Sequence, residues 1–285
     1  VKDSLRGIDV ATSINGKLVR HEKAVVSVFD NALLYAQGLF ETFLVIDNRI
    51  IFVSDHLERL YTGAKVIDLK IPISKTTLIE WMNLTLKAHP SRIKKLRLTI
   101  TAGESARWLG TQGAPQIILS AASHTMPVNP FTLFLSTFKV DQKSIFRRIK
   151  TISYAIQATA LDEAKRHKCD DALMLNEKKH AAEVTSANFF WVKRNRIYTP
   201  SLDDGCLDGV TRRHVFKACQ KLNFRLIEKS GTLTEILKAD EIFISSSLKL
   251  IVGVAKLKHS NTVSLFPAGP VTDSLSQEFR HLVRL

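Results

Sequence analysis

The sequence predicts two α/β domains with mixed sheets, and three observations lead there. At 285 residues the chain is about twice the roughly 150 residues of an ordinary domain. Its 45% hydrophobic and 24% charged residues are the balance of a chain that buries cores, far from the composition of disorder. Strand-length apolar stretches and amphipathic helical stretches follow one another without a regular βαβ alternation, which argues against a doubly wound parallel sheet. Residues 124–130, with two prolines and an asparagine, are the expected linker between a smaller α+β domain over 1–123 and a larger one over 131–285.

Taken in order, residues 25–29 and 40–46 read as strands, and the second turns through Asp47-Asn48-Arg49 into residues 50–53 as a tight hairpin. Asp55 and Glu58 form a capping-box pair before a helix whose apolar face is Leu57, Leu60, Tyr61, Ala64 and Ile67. A second helix is predicted over Lys75–Lys87, closed by His89-Pro90. In residues 93–101 Leu96, Leu98 and Ile100 alternate with Lys95, Arg97 and Thr99, the pattern of a half-buried strand, and residues 116–122 are another. Beyond the linker come a strand over 131–138, a helix around 155–166, and strands near 172–175, 189–192 and 224–228. A helix runs from near Gly209 to about Leu222, and Thr232 with Glu235 makes a second capping box. A strand over 241–245 and a helix from about Thr272 complete the reading.

Composition also limits the function. No apolar run approaches the roughly 18 to 20 residues of a membrane helix, the N-terminal stretch has no leader pattern, and no membrane partner is expected. Three cysteines (Cys169, Cys206, Cys219) without a CxxC pair suit a reducing cytoplasm and leave no metal site to expect. The net charge of +14 raises nucleic acid as a partner. The charges are dispersed, though, and no recognition motif accompanies them, so no nucleic-acid partner is expected. Clusters such as Lys94-Lys95, Arg147-Arg148-Ile149-Lys150 and Arg212-Arg213 read as solvated faces or small-anion sites.

There is no Walker A loop, GxGxxG, GxSxG or HExxH. Lys150 reads either as a surface lysine or as an amine whose proton affinity is lowered by neighbouring cations so that it forms a Schiff base. Glu183 lies among small, mostly uncharged residues, as a plain loop carboxylate or as a buried one that needs a cationic partner such as a protonated pyridine nitrogen. Gly209-Val210-Thr211-Arg212 opens a helix whose free N–H groups and threonine hydroxyl suit a phosphate, and ordinary helix starts look much the same. Ser245-Ser246-Ser247 offers further hydroxyls or a polar turn. Arg59 shares a helix face with His56 and Gly63, as an exposed charge or a phosphate ligand.

In this order the segments resemble the class IV family of pyridoxal-phosphate enzymes, of fold type IV. That family holds branched-chain aminotransferases, D-amino-acid transaminases and 4-amino-4-deoxychorismate lyases. The resemblance runs from about Val25 to Leu257. It rests on Phe40-Glu-Thr42, His56-Leu-Glu-Arg59-Leu, Lys150-Thr-Ile-Ser-Tyr154, Glu183-Val-Thr-Ser-Ala-Asn188, Leu207-Asp-Gly209-Val-Thr211 and Ala239-Asp-Glu-Ile-Phe-Ile-Ser-Ser-Ser247. It implies two domains with the active site at their interface, a usual homodimer, pyridoxal 5'-phosphate as cofactor and Lys150 as its Schiff-base partner. Carried over position by position, Glu183 sits on the ring nitrogen and Tyr154 near the ring oxygen, while Leu207 packs on the ring. Arg59, Val210, Thr211 and Ser247 hold the phosphate. A departure stands at Tyr35-Ala36-Gln37-Gly38, where many members have Tyr-Gly-Asp-Gly.

Within the family three positions bear on the reaction. Thr42 follows Phe-Glu as in the lyases, where branched-chain enzymes carry a small glycine, and its hydroxyl would protonate or orient the departing group. Leu44 and Ala102 stand where the two kinds of transaminase carry an arginine for their substrates. Arg107 is the replacement candidate for an anionic substrate, with Phe40 and Trp108 lining an aromatic pocket; the plainer readings are a loop charge and core aromatics. The expectation is a lyase that makes 4-aminobenzoate and pyruvate for folate synthesis, with an amino-acid aminotransferase as the alternative.

Overall fold

The computed structural model describes residues 10–104 and 113–285, which fall into two compact units. The first runs to Thr125 and takes in Ile149–Ser153; the second comprises Met126–Arg148 and Tyr154–Leu285.

The first unit contains β1 (Val10–Ile14), β2 (Lys17–Val19), α1 (Asn31–Tyr35), β3 (Gly38–Ile46), β4 (Arg49–Ile50), α2 (Val53–Val66), α3 (Lys75–Lys87), β5 (Ile93–Thr101) and β6 (Ile117–Ser123). Its sheet has the order β2-β1-β6-β5-β3-β4, with every pairing antiparallel. The mixed pairing of the expected fold class is found in the sheet of the second unit. Short turns join β1 to β2 and β3 to β4, and such turns only join antiparallel neighbours.

Period-two alternation decides which side of the sheet is core. Leu39, Phe43 and Val45 of β3 and Leu96, Leu98 and Ile100 of β5 pack on Leu57, Leu60 and Ala64 of α2 and on Leu78, Met82 and Leu86 of α3. Phe40, Thr42 and Leu44 consequently lie on the opposite face.

Two local expectations change. Residues 25–29 form no strand: among the described residues no strand pairs with them, and Val25 and Val28 are 71% and 63% exposed. Helix α2 starts at Val53, two residues before Asp55, behind Phe52 in a left-handed conformation (φ 53°). Asp55 thus serves the positive end of the helix from within its first turn instead of capping it.

The second unit contains β7 (Phe131–Val140), α4 (Ala155–Arg166), β8 (Asp171–Asn176), β9 (Ala181–Val184), β10 (Ala187–Lys193), β11 (Arg196–Thr199), α5 (Val210–Lys221) and β12 (Arg225–Glu228). It continues with α6 (Leu233–Ile236), β13 (Glu241–Ser246), β14 (Leu250–His259), β15 (Thr262–Leu265) and α7 (Pro270–Val283). This sheet is mixed, with parallel pairs β7–β8, β7–β14 and β11–β12. Because β9 pairs with both β8 and β10, the path β10-β13-β14-β7-β8-β9 closes on itself. Closure leaves these strands no open edge and fills the middle with Leu133, Leu173, Val184, Phe189, Ile244 and Val252. The second capping box is present, Thr232 accepting from Glu235 N and Glu235 accepting from Thr232 N. Among the described residues no helix is long and apolar enough to cross a membrane.

Candidate active site

Lys150 lies in Ile149–Ser153, a segment of the first unit, although the chain on either side of that segment belongs to the second. The sequence places it in the C-terminal part; backbone pairing overrides that. Phe40 N donates to Lys150 O at 3.0 Å and Ile152 N to Gly38 O at 3.1 Å, so the lysine segment lies along the start of β3. Gly38 permits this approach, since a Cβ there would sit 2.6 Å from Ile100 O and 2.9 Å from Ile152 Cδ1.

On the sheet face away from the helices, Lys150 Nζ lies 4.3 Å from the centre of the Phe40 ring. The guanidinium carbon of Arg97 lies 4.0 Å from the same centre, so two cations share one aromatic ring. Thr42 follows Phe40 on this face and is in register with Arg97 on β5. Arg97 escaped the sequence reading because an outward arginine on an alternating strand looks like any solvated charge. Leu44 and Ala102 are both buried. Arg107 and Trp108 lie outside the described residues.

Behind the sheet, Arg59 is held by Glu41, a residue the sequence analysis did not single out. Arg59 Nε donates to Glu41 Oε1 at 2.8 Å and Nη2 to Oε2 at 2.7 Å, a two-bond pairing that fixes the plane of the guanidinium. His56 Nδ1 lies 2.7 Å from the same Oε2. Burial pushes Glu41 towards its neutral form, but Arg59 and His56 outweigh it and bring the carboxyl down to about 2. Burial likewise holds the His56 imidazole below its ordinary value. An ionised carboxylate only accepts, so the neutral His56 carries its proton on Nδ1. The signal that could have found Glu41 is its register: it stands among Leu39, Phe43 and Val45, on the face that packs against α2.

In the second unit Glu183 is on β9 and is 5% exposed, the buried one of the two alternatives left open for it. Its Oε1 accepts from Arg147 Nη2 and its Oε2 from Leu207 N at 2.9 Å. Arg148 pairs with Asp203 at 2.9 Å. The sequence reading used these two arginines to lower the proton affinity of Lys150; the structure gives each of them a carboxylate instead.

Leu207 O accepts from Asn188 Nδ2 at 2.8 Å, and a Cβ on Gly209 would lie 2.0 Å from Asn188 Oδ1. A side chain at the N-cap of α5 would therefore have to displace the Asn188 amide, and glycine leaves the first N–H groups of that helix without a side-chain cap. Val210 and Thr211 follow, both buried, and Thr211 Oγ1 has no hydrogen-bond partner among the described residues. The pairing of Asn188 with Ser245 brings the end of β13 beside this turn; Ser245 Oγ is likewise buried and unpartnered among the described residues, and half-buried Ser247 lies in the turn that follows. Tyr154 is the half-buried N-cap residue of α4.

This donor set suits a phosphorylated pyridine. An uncapped helix start with an unpartnered buried hydroxyl suits the phosphate, and an anionic buried carboxylate suits a protonated ring nitrogen. Among the described residues no group of three or more His, Cys, Asp or Glu side chains is placed to hold a metal.

Comparison with known proteins agrees. The aminodeoxychorismate lyase of Bacillus subtilis is 28% identical over 278 residues, 95% of this chain and 94% of its own. The branched-chain-amino-acid aminotransferase of Pseudomonas aeruginosa is 26% identical over 282 residues, covering 94% of this chain and 91% of its own. The crystal structure of the branched-chain aminotransferase from Thermoproteus uzoniensis with norvaline superposes with a TM-score of 0.87 at 26% identity, over 96% of this chain and 94% of that one. Residues 38–257, well over half the chain, match the model of the amino-transferase class IV family. By that match and by its fold, the chain belongs to the class IV, fold type IV family of pyridoxal-phosphate enzymes.

Proposed function

We propose that this enzyme is a 4-amino-4-deoxychorismate lyase, splitting its substrate into 4-aminobenzoate and pyruvate with pyridoxal 5'-phosphate carried on Lys150. The observation that carries this reading is the hydroxyl of Thr42, on the strand face where the Lys150 amine lies against Phe40. A hydroxyl two residues from that ring suits a reaction in which a C–O bond breaks and the leaving oxygen needs a proton. The likeness to the Bacillus subtilis lyase supports the same choice.

When bound, the cofactor withdraws electrons from the carbon next to the substrate amine. The residues do the rest. Lys150 would attach the cofactor through its amine and would take the proton from the substrate carbon. Glu183 would keep the ring nitrogen protonated, and Leu207 and Tyr154 would flank the ring. Arg59, Val210 N–H, Thr211 and Ser247 would hold the phosphate. Arg97 orients a substrate carboxylate, and Thr42 protonates the enolpyruvyl oxygen as it leaves. Within the same proposal the enzyme is a cytoplasmic homodimer that acts on a small anionic molecule.

Arg97 favours a second reading, an amino-acid aminotransferase, because it supplies on β5 the guanidinium that Leu44 and Ala102 do not. Product analysis separates the two. Cofactor-loaded protein mixed with 4-amino-4-deoxychorismate should give equal amounts of 4-aminobenzoate and pyruvate, above a Lys150→Ala control. No 4-aminobenzoate, with a keto acid formed from amino-acid donors, would establish the aminotransferase instead.

Thr211→Val tests the phosphate site. Valine matches threonine in shape and no existing bond is lost, so the fold should persist. Cofactor affinity should fall roughly tenfold, the worth of one hydrogen bond to a charged group. An unchanged cofactor titration would remove Thr211 from the site.

A further inference from the structure

We propose that Arg147 is a positioning residue that acts through Glu183: it keeps this buried carboxylate anionic and ties it to the loop that carries Leu207. The inference rests on the pyridoxal-phosphate reading above and extends it to a residue that reading does not use. Three bonds make the arrangement. Arg147 Nη2 donates to Glu183 Oε1, Arg147 Nε donates to Gly205 O at 2.9 Å, and Leu207 N donates to Glu183 Oε2 at 2.9 Å. One guanidinium thus holds both the carboxylate and the loop whose next amide but one holds the carboxylate's other oxygen.

The loop is fixed from its far side as well. Asp204 accepts from Asn176 Nδ2 at 3.2 Å and from Ser230 Oγ at 2.9 Å, and His180 Nδ1 lies 3.4 Å from it. The side chains of Arg147 and Glu183 are 15% and 7% exposed, so water cannot replace the guanidinium as counter-charge.

Other ionisable groups nearby do not take its place. Burial, with Glu183 and then Asp204 adding to it, pushes the Cys206 thiol up to about 12, so it stays neutral. Arg212 donates to Glu228 and to Pro200 O. Asp204 is a carboxyl group and offers no positive charge. Without Arg147, a carboxylate buried at this position takes up a proton instead of standing alone as an ion.

The test is the cofactor dissociation constant, read from pyridoxal-phosphate absorbance over about pH 5.5 to 8.5, for wild type and Arg147→Met. In the variant, binding a protonated ring must first expel the proton from Glu183. The ratio of variant to wild-type dissociation constants should therefore climb towards acid, by up to about tenfold per pH unit. Arg147→Lys keeps the charge and should hold the ratio flat and near one. In a Glu183→Gln background, Arg147→Met should add no pH dependence. A raised but pH-independent ratio would overturn the proposal, because a displaced loop alone produces that. If Arg147→Met does not fold by circular dichroism, Arg147→Gln carries the same test, keeping a donor for Gly205 O without the charge. Failure of the wild type itself to bind would instead overturn the cofactor reading on which the inference rests.

Discussion

Lys150→Ala is expected to lower turnover roughly a thousandfold or more, since in the proposed function one amine is both the covalent anchor and the proton acceptor. The fold should survive the change. What ties this segment to β3 is backbone pairing, Phe40 N to Lys150 O and Ile152 N to Gly38 O, and alanine keeps both bonds. The side chain contributes a cation against the Phe40 ring, worth about 1 kcal/mol. Product formation and thermal melting, measured on the same preparation, separate the two effects. A variant that melts like wild type and retains a tenth of its rate would refute the assignment of Lys150.

Glu41→Gln should give the largest loss of stability of the substitutions considered, about 3 kcal/mol at neutral pH. Two arguments converge on that figure. Removing one partner of a buried ion pair strands the other, at about 3 to 5 kcal/mol. Independently, a carboxyl at about 2 in the folded chain against 4.5 otherwise contributes about 3 kcal/mol by linkage. The sign of the pH dependence follows. Since the folded value is the lower one, this stabilisation is complete above pH 4.5 and is lost as the pH falls towards about 2. His56, also lowered from 6.5, acts in the same direction and starts to destabilise the fold below that pH.

Urea unfolding of wild type and Glu41→Gln at several pH values checks this: the gap between them should be widest near neutrality and close in acid. A constant gap would mean that the charge of Glu41 is not what stabilises the fold. The same variant should bind the cofactor more weakly, because the plane of the Arg59 guanidinium is no longer fixed.

Local signals in the sequence located most of the elements. Helix α3 runs over Lys75–Lys87, ending ahead of the His89-Pro90 stop as predicted, and the alternation in β5 gives its span. Strands β9 and β11 have four residues each, too few for a period to show. Both are made strands by their partners: β9 by β8 and β10, β11 by β10 and β12. The reverse error at residues 25–29 has the same cause, since β-rich residues without a neighbouring strand do not make one.

The candidate site divides along similar lines. Lys150, Glu183 and the Gly209-Val210-Thr211 turn were each ambiguous alone and became visible through the order of motifs in which they stand. Glu41, Arg97 and Arg147 were not, because each matters through a neighbour far off in sequence: Arg59, the Phe40 ring that Lys150 shares, and Glu183.

The chain changes units at 125/126, 148/149 and 153/154, so the first unit is discontinuous. A ribosome that has released residues up to Thr125 has delivered all six strands of the antiparallel sheet but not the lysine that β3 must receive. The place beside Gly38 and Phe40 is filled only when the chain returns with residues 149–153, and by then β7 has also been made. Synthesis order thus makes Lys150 one of the last parts of its own unit to arrive. An N-terminal fragment ending at Thr125 would carry the six strands without that lysine.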